Sequence, residues 1–232
     1  MSKRFIFSLL FVGALVGGVL LYRYMNASGA RSVQVVRWLR DPEDYANLKI
    51  LPGTRCGDAP FILPTEGLIG YLWDDSFRPG HRHQGIDIFG GTDPGVTPVI
   101  SAYEGYLTRL PEWTSTVILR IPNDPLHPER QIWLYYTHMA DAEGNSFITD
   151  SFPRGTYEFH IPAGTLLGYQ GNYSGDPLNP VGVHLHFSIV KDDGTGAFMN
   201  ELKIENTYDP SPYFGMALNA KENPSGIPTC EE

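Results

Sequence analysis

From residue 67 onward, short apolar runs alternate with polar, turn-forming breaks, a rhythm that predicts a β domain. Candidate strands are 68–73, 85–89, 98–102, 105–110, 116–121, 131–137, 165–169 and 184–190. Clusters of Pro, Gly, Asn and Asp separate most of them, among them Pro122-Asn123-Asp124-Pro125 and Gly175-Asp176-Pro177. No long window in this region carries a helical period, and no internal repeat stands out. The pattern predicts an all-β fold of antiparallel sheets.

Upstream the pattern is different. Lys3 and Arg4 precede an uncharged apolar stretch from Phe5 to Tyr22, which Arg23 closes. Wound as a helix at about 1.5 Å per residue, it spans roughly 27 Å, close to the hydrocarbon thickness of a bilayer. That length predicts an N-terminal transmembrane helix, with Lys3 and Arg4 on the cytoplasmic side. The alternative is a cleaved signal sequence, for which Ala27-Ser28-Gly29-Ala30 supplies small residues. On either reading the rest of the chain is exported. Residues 24–60 read as a connector. Within it, Asp41-Pro42-Glu43-Asp44 opens a short helix through Leu48, with a capping acid, Pro in the first turn and negative charge at the positive end of the helix dipole. The chain thus divides into an anchor or signal (1–23), this connector (24–60), a main domain (61–216) and a polar, Pro-containing tail (217–232).

Composition adds two constraints. Of the 17 basic residues, Lys3, Arg4, Arg23 and Arg31 lie before residue 32, where no acid occurs, so 13 basic residues face 26 acidic ones in the rest of the chain. An acidic body repels polyphosphate and argues against nucleic acid as a partner. The two cysteines, Cys56 and Cys230, bracket the domain. In an oxidising compartment they would close a very long loop; the other reading is two free thiols.

The candidate chemistry lies among seven histidines: 81, 83, 127, 138, 160, 184 and 186. His83-Gln84-Gly85-Ile86-Asp87 sets an imidazole and a carboxylate four apart where a strand begins. His184-Leu185-His186 sets two imidazoles two apart, on one face of a strand. Three N/O ligands with an open fourth position are the pattern of a catalytic rather than a structural zinc site, although other divalent metals accept the same donors. Taken singly, each pair has a plainer reading. Asp87 could cap a turn, and His184 and His186 could be half-buried strand residues. His81, in the Pro79-Gly80 turn, is a candidate substrate contact, Trp73 and Tyr136 are candidate cleft walls, and His127 and His160 read as ordinary residues.

Taken in order, these motifs resemble the lysostaphin/LytM-type zinc endopeptidases that cut peptide cross-links in bacterial cell walls. The resemblance covers roughly residues 64–215. It rests on His83-x-Gly85-x-Asp87, Pro94-Gly95-x-x-Pro98-Val99-x-x-Ala102, Gly105-Tyr106, Tyr136-Thr137-His138-Met139, residues 163–168 (AGTLLG) and His184-Leu185-His186-Phe187, with Asp209-Pro210 and Pro212-Tyr213 at the exit. It implies two antiparallel sheets forming an open groove. It also implies Zn2+ on His83, Asp87 and His186, with His138 and His184 as unligated catalytic histidines, His184 as general base and His138 as transition-state stabiliser. The substrate implied is a peptidoglycan peptide or another short peptide. The alternative is a catalytically silent relative that binds cell wall or activates another hydrolase, and a further one is an enzyme acting on secreted Gly-rich proteins. Two departures stand out: Gly182-Val183 precedes His184 where the family often has Gly-Pro, and Ser188 follows Phe187 where it often has Glu. Segments 122–131 and 140–163 also look longer than the family minimum.

Overall fold

The computed structural model describes residues 31–76 and 80–230. The anchor or signal expected over residues 1–23 lies outside the described residues. Among those described, no helix is long and apolar enough to cross a membrane.

The strands are β1 (Leu68–Tyr71), β2 (Ile86–Phe89), β3 (Pro98–Ile100), β4 (Gly105–Thr108), β5 (Val117–Ile121), β6 (Ile132–Thr137), β7 (Phe159–Ile161), β8 (Leu166–Tyr169), β9 (Leu185–Lys191) and β10 (Thr207–Tyr208). Eight form one antiparallel sheet in the order β1-β2-β9-β6-β5-β4-β7, with β10 paired to β9, while β3 and β8 form a separate two-stranded ribbon. The domain is therefore mostly β and antiparallel, with two sheets of very unequal size.

β9 explains the architecture. It pairs with β2 along one edge and β6 along the other, and its side chains are buried on both faces along all but its last residue. Its sequence alternates accordingly. Leu185, Phe187 and Ile189 enter the main core with Ile86, Ile88, Leu134, Tyr136, Val117 and Leu119. His186, Ser188 and Val190 take the opposite face by the two-residue period of a strand. Each large apolar side chain buried this way contributes about 1.5–3 kcal/mol. A slip of one residue would exchange the two faces, so the register is firmly set. Gly85 permits the close approach of β2 and β9: a Cβ there would lie 2.1 Å from the Phe187 carbonyl oxygen.

Three elements escape the hydrophobic pattern. β7 is a short edge strand with two of its three side chains exposed. β10 has only two residues. Residues 31–40, part of the expected connector, form a helix, here α1. Its inward side chains are Arg31, Val35 and Trp38, and the last two pack with Leu68 and Phe89. Residues Glu43–Leu48 wind as a 3-10 helix, and a short α2 (Ser211–Phe214) ends in Gly215 in the left-handed region. The tail folds back on the domain: Leu218 is buried, the backbones of Trp73 and residues 218–220 pair, and Cys230 is bonded to Cys56.

Candidate metal centre

β2 and β9 carry the site. Asp87 and His186 are direct cross-strand partners, and His83 enters from the turn before β2. The three side chains are buried, and their donor atoms converge. His83 Nε2 lies 3.1 Å from Asp87 Oδ1 and 3.1 Å from His186 Nδ1, and His186 Nδ1 lies 2.8 Å from Asp87 Oδ1.

The outer atoms of the rings decide which nitrogens face inward. His83 Nδ1 donates its proton to the Leu72 carbonyl at 2.9 Å, which leaves a lone pair on Nε2. His186 Nε2 is held by the Ser188 hydroxyl at 2.9 Å, with Nδ1 turned toward Asp87. Ser188, a departure from the resembled family, thus supports an inward-facing ring from the same strand face. A shared proton or a metal cation can satisfy two imidazole nitrogens and a carboxylate at this spacing, and the donor set is one that a divalent metal accepts. A tetrahedral zinc ion with bonds of about 2.0–2.2 Å separates its ligands by roughly 3.3–3.5 Å. The observed 2.8–3.1 Å falls short of this by roughly 0.2–0.7 Å, so the side chains would spread slightly to admit the ion, and the donor types fit zinc.

Charge follows the same geometry. Burial opposes ionisation of Asp87, but His83, His184 and His186 outweigh it and hold the carboxyl well below the usual range. Burial also opposes a charged His83, and Asp87 outweighs it, so the pKa of His83 is raised.

His138 and His184 share the space beside this triangle. Their ring centroids are 4.6 Å apart, and His184 Nε2 lies 3.5 Å from Asp87 Oδ1. His138 Nδ1 donates to the Tyr173 carbonyl at 2.7 Å, and His184 Nδ1 donates to the Gly182 carbonyl at 2.6 Å. Because a carbonyl only accepts, each ring carries its proton on Nδ1 and keeps Nε2 as a base. Burial, then the neighbouring His184 and His186, pushes the pKa of His138 down to about 3. Burial likewise lowers His184. His138 also has φ of 71°, a left-handed conformation uncommon outside glycine. Gly171 makes room for this turn, since a Cβ there would meet the Ala140 and His138 carbonyl oxygens at 2.1 and 2.5 Å.

All five site residues expected from the sequence therefore lie together. His81 stacks near His83 at 6.4 Å, whereas His127 is exposed beside Glu129 and His160 packs on Tyr106. Tyr136 is not a cleft wall: it is fully buried on the opposite face of β6, where its hydroxyl accepts the Ala102 N–H. Its neighbour Tyr135 lies on the site's face, opposite Ser188. Two-residue counting back from Thr137, which pairs with His186, would have found it. Burial, then Glu201, raises the Tyr135 phenol to about 12, so it stays a neutral donor. The Trp73 indole N–H is taken by Thr207.

No protein-family model and no curated protein matches the chain. Among solved structures it is similar to the antimicrobial peptidase lysostaphin from Staphylococcus simulans, at 19% identity over 64% of this chain and 49% of that one, with a TM-score of 0.41. It is similar to the catalytic domain of the same peptidase at 18% identity, over 62% of this chain and 88% of that one, with a TM-score of 0.40. A third likeness is to the catalytic domain of the prophage-encoded M23 protein EnpA from Enterococcus faecalis, at 17% identity over 65% and 96% of the two chains, with a TM-score of 0.38. The chain spans about half the length of the first lysostaphin chain. These are distant likenesses, and the functional reading rests on the site's own geometry.

Proposed function

We propose that the chain is a zinc-dependent endopeptidase that hydrolyses amide bonds in short peptides, with peptidoglycan cross-links as its substrate. One observation carries this reading: three metal-type donors converge within 2.8–3.1 Å while two further imidazoles keep bare nitrogens beside them. A site that only binds metal has no use for the second pair.

His83, Asp87 and His186 hold the ion. When bound, zinc acts as a Lewis acid toward a carbonyl oxygen and brings the pKa of a water to about 7. His184 Nε2, a neutral acceptor anchored through Nδ1, removes the proton of the attacking water. His138 Nε2 has no proton at rest. The proton that His184 takes from the water passes to His138 Nε2, the two ring centroids being 4.6 Å apart; the charged His138 ring, steadied by the Tyr173 carbonyl, then faces the oxyanion and gives that proton to the leaving amine. The apolar stretch 5–22 and the Cys56–Cys230 bond support a membrane-anchored protein with its catalytic domain outside the cytoplasm.

The test uses the full chain, purified in detergent, loaded with zinc and incubated with cell-wall sacculi. Chelator-sensitive release of peptides is expected, with cleavage products identified by mass spectrometry. His186→Ala should lose the metal, whereas His184→Ala should keep it and lose turnover. Bound zinc without peptide release would overturn the enzyme reading in favour of a silent cell-wall module. Zinc loss in both variants would overturn the division of roles.

A further inference from the structure

Helix α1 lies outside the motifs that carry the proposed activity, yet its inward face reaches both halves of the histidine site. We propose that α1 is a positioning element: Arg31, through Asp75, fixes the turn that presents His83, and Trp38, through Phe89, fixes the wall on which His184 rests.

The first path starts at a buried cation. Arg31 is 1% exposed and donates to Asp75 Oδ2 at 2.9 Å and to the Asn223 carbonyl at 2.5 Å. Asp75 is buried, and its backbone carbonyl accepts the His83 N–H at 2.8 Å. Its own N–H donates to the Leu72 carbonyl at 3.1 Å, the oxygen that also takes the His83 ring proton. Arg31 therefore holds the turn that sets both the backbone and the ring of a proposed metal ligand. Next to it, the Ser32 hydroxyl lies 3.2 Å from the Tyr71 hydroxyl, and the Tyr71 ring meets His83 and Phe89 edge-on.

The second path runs through Phe89. The Trp38 indole donates to the Phe89 carbonyl at 2.8 Å, and Val35, Trp38, Leu68 and Phe89 form a separate apolar cluster. The Phe89 ring stacks on His184 at 5.0 Å and 26°. Gly70 leaves the room this needs, since a Cβ there would lie 2.6 Å from both Phe89 and Val35. Residues 31, 32, 35 and 38 fall on one side of a helix, so a single rigid element makes all these contacts. A domain needing only a tether would not place a buried arginine behind a ligand turn.

The proposal takes its catalytic arm from the zinc-peptidase reading, while its metal arm stands without it. In the full chain, zinc affinity is measured by chelator competition, turnover on sacculi by peptide release, and folding by thermal melts. Arg31→Gln and Asp75→Asn should each weaken zinc at least about tenfold, the usual scale for groups that orient ligands. The double variant should be no weaker than either single one, and Arg31→Lys should recover part of the loss. Trp38→Phe, which keeps an aromatic side chain of smaller volume and removes the N–H, should leave zinc affinity within about twofold and lower kcat about tenfold with KM unchanged. Melting temperatures that fall while zinc affinity and kcat stay at wild-type values would overturn the proposal and reduce α1 to packing. If the wild type releases no peptide, the peptidase reading fails alone, and the Arg31 and Asp75 affinities still decide whether α1 positions the site.

Discussion

Gly85→Ala tests the link between backbone packing and the proposed metal centre. The added Cβ would lie 2.1 Å from the Phe187 carbonyl oxygen and 2.9 Å from its carbon, backbone atoms that cannot swing aside, and 3.0 Å from the Ser188 Oγ. Even a tight contact needs about 3.0 Å, so β2 and β9 must part by about 0.9 Å. Asp87 and His186 are paired across these same strands, only two residues further along. Metal bonds tolerate deviations of about 0.2 Å, far less than this displacement. The strain should cost about 1–3 kcal/mol, the usual penalty for overpacking. For a chain of this size that corresponds to a fall in Tm of roughly 2–12 °C. Zinc affinity should fall at least about tenfold. The assay pairs chelator competition with thermal melts of metal-free protein. Gly182→Ala is the control: a Cβ there meets only the Phe89 ring, at an ordinary 3.7 Å, so both readouts should hold. Wild-type zinc affinity in Gly85→Ala, or equal loss in Gly182→Ala, would refute the reasoning.

Two further perturbations follow from the same structure. Replacing Cys56 and Cys230 by Ser opens a loop with a sequence separation of 174. On the chain-entropy model that costs up to about 5 kcal/mol, so denaturant midpoints should drop sharply; an unchanged midpoint would remove the disulfide from the account of stability. Acid should destabilise the metal-free protein through His138, whose pKa falls from 6.5 to about 3 on folding. Below 6.5 the unfolded chain binds a proton that the folded chain refuses, so stability drops by about 2 kcal/mol between pH 7 and 5. His83, with a raised pKa, acts in the opposite sense: its contribution is present below 6.5 and is lost as pH rises through the folded value. Denaturant titrations at several pH values should therefore show a flatter acid limb in His138→Asn than in the wild type, and identical slopes would refute the assignment.

The sequence by itself determined the β texture and most strand positions, and it singled out the five residues that the structure brings together. Strands with one buried face write a two-residue alternation into the chain, as in Leu185-His186-Phe187-Ser188-Ile189, and ligands must sit at fixed spacings on it. It also set Gly85 beside His83 and Asp87, without giving the reason. Only the tertiary structure supplied that reason, because the clash involves a carbonyl on another strand about a hundred residues away. The same holds for the pairing of Cys56 with Cys230 and for Tyr135 rather than Tyr136 facing the site, both decided by long-range register. α1 was illegible for a related cause. Its inward face is an arginine, a valine and a tryptophan, and that mixture becomes a helix face only when Asp75 and the Phe89 carbonyl are there to receive it. Local patterns record which way a side chain points, whereas the partner that justifies it is chosen by the fold.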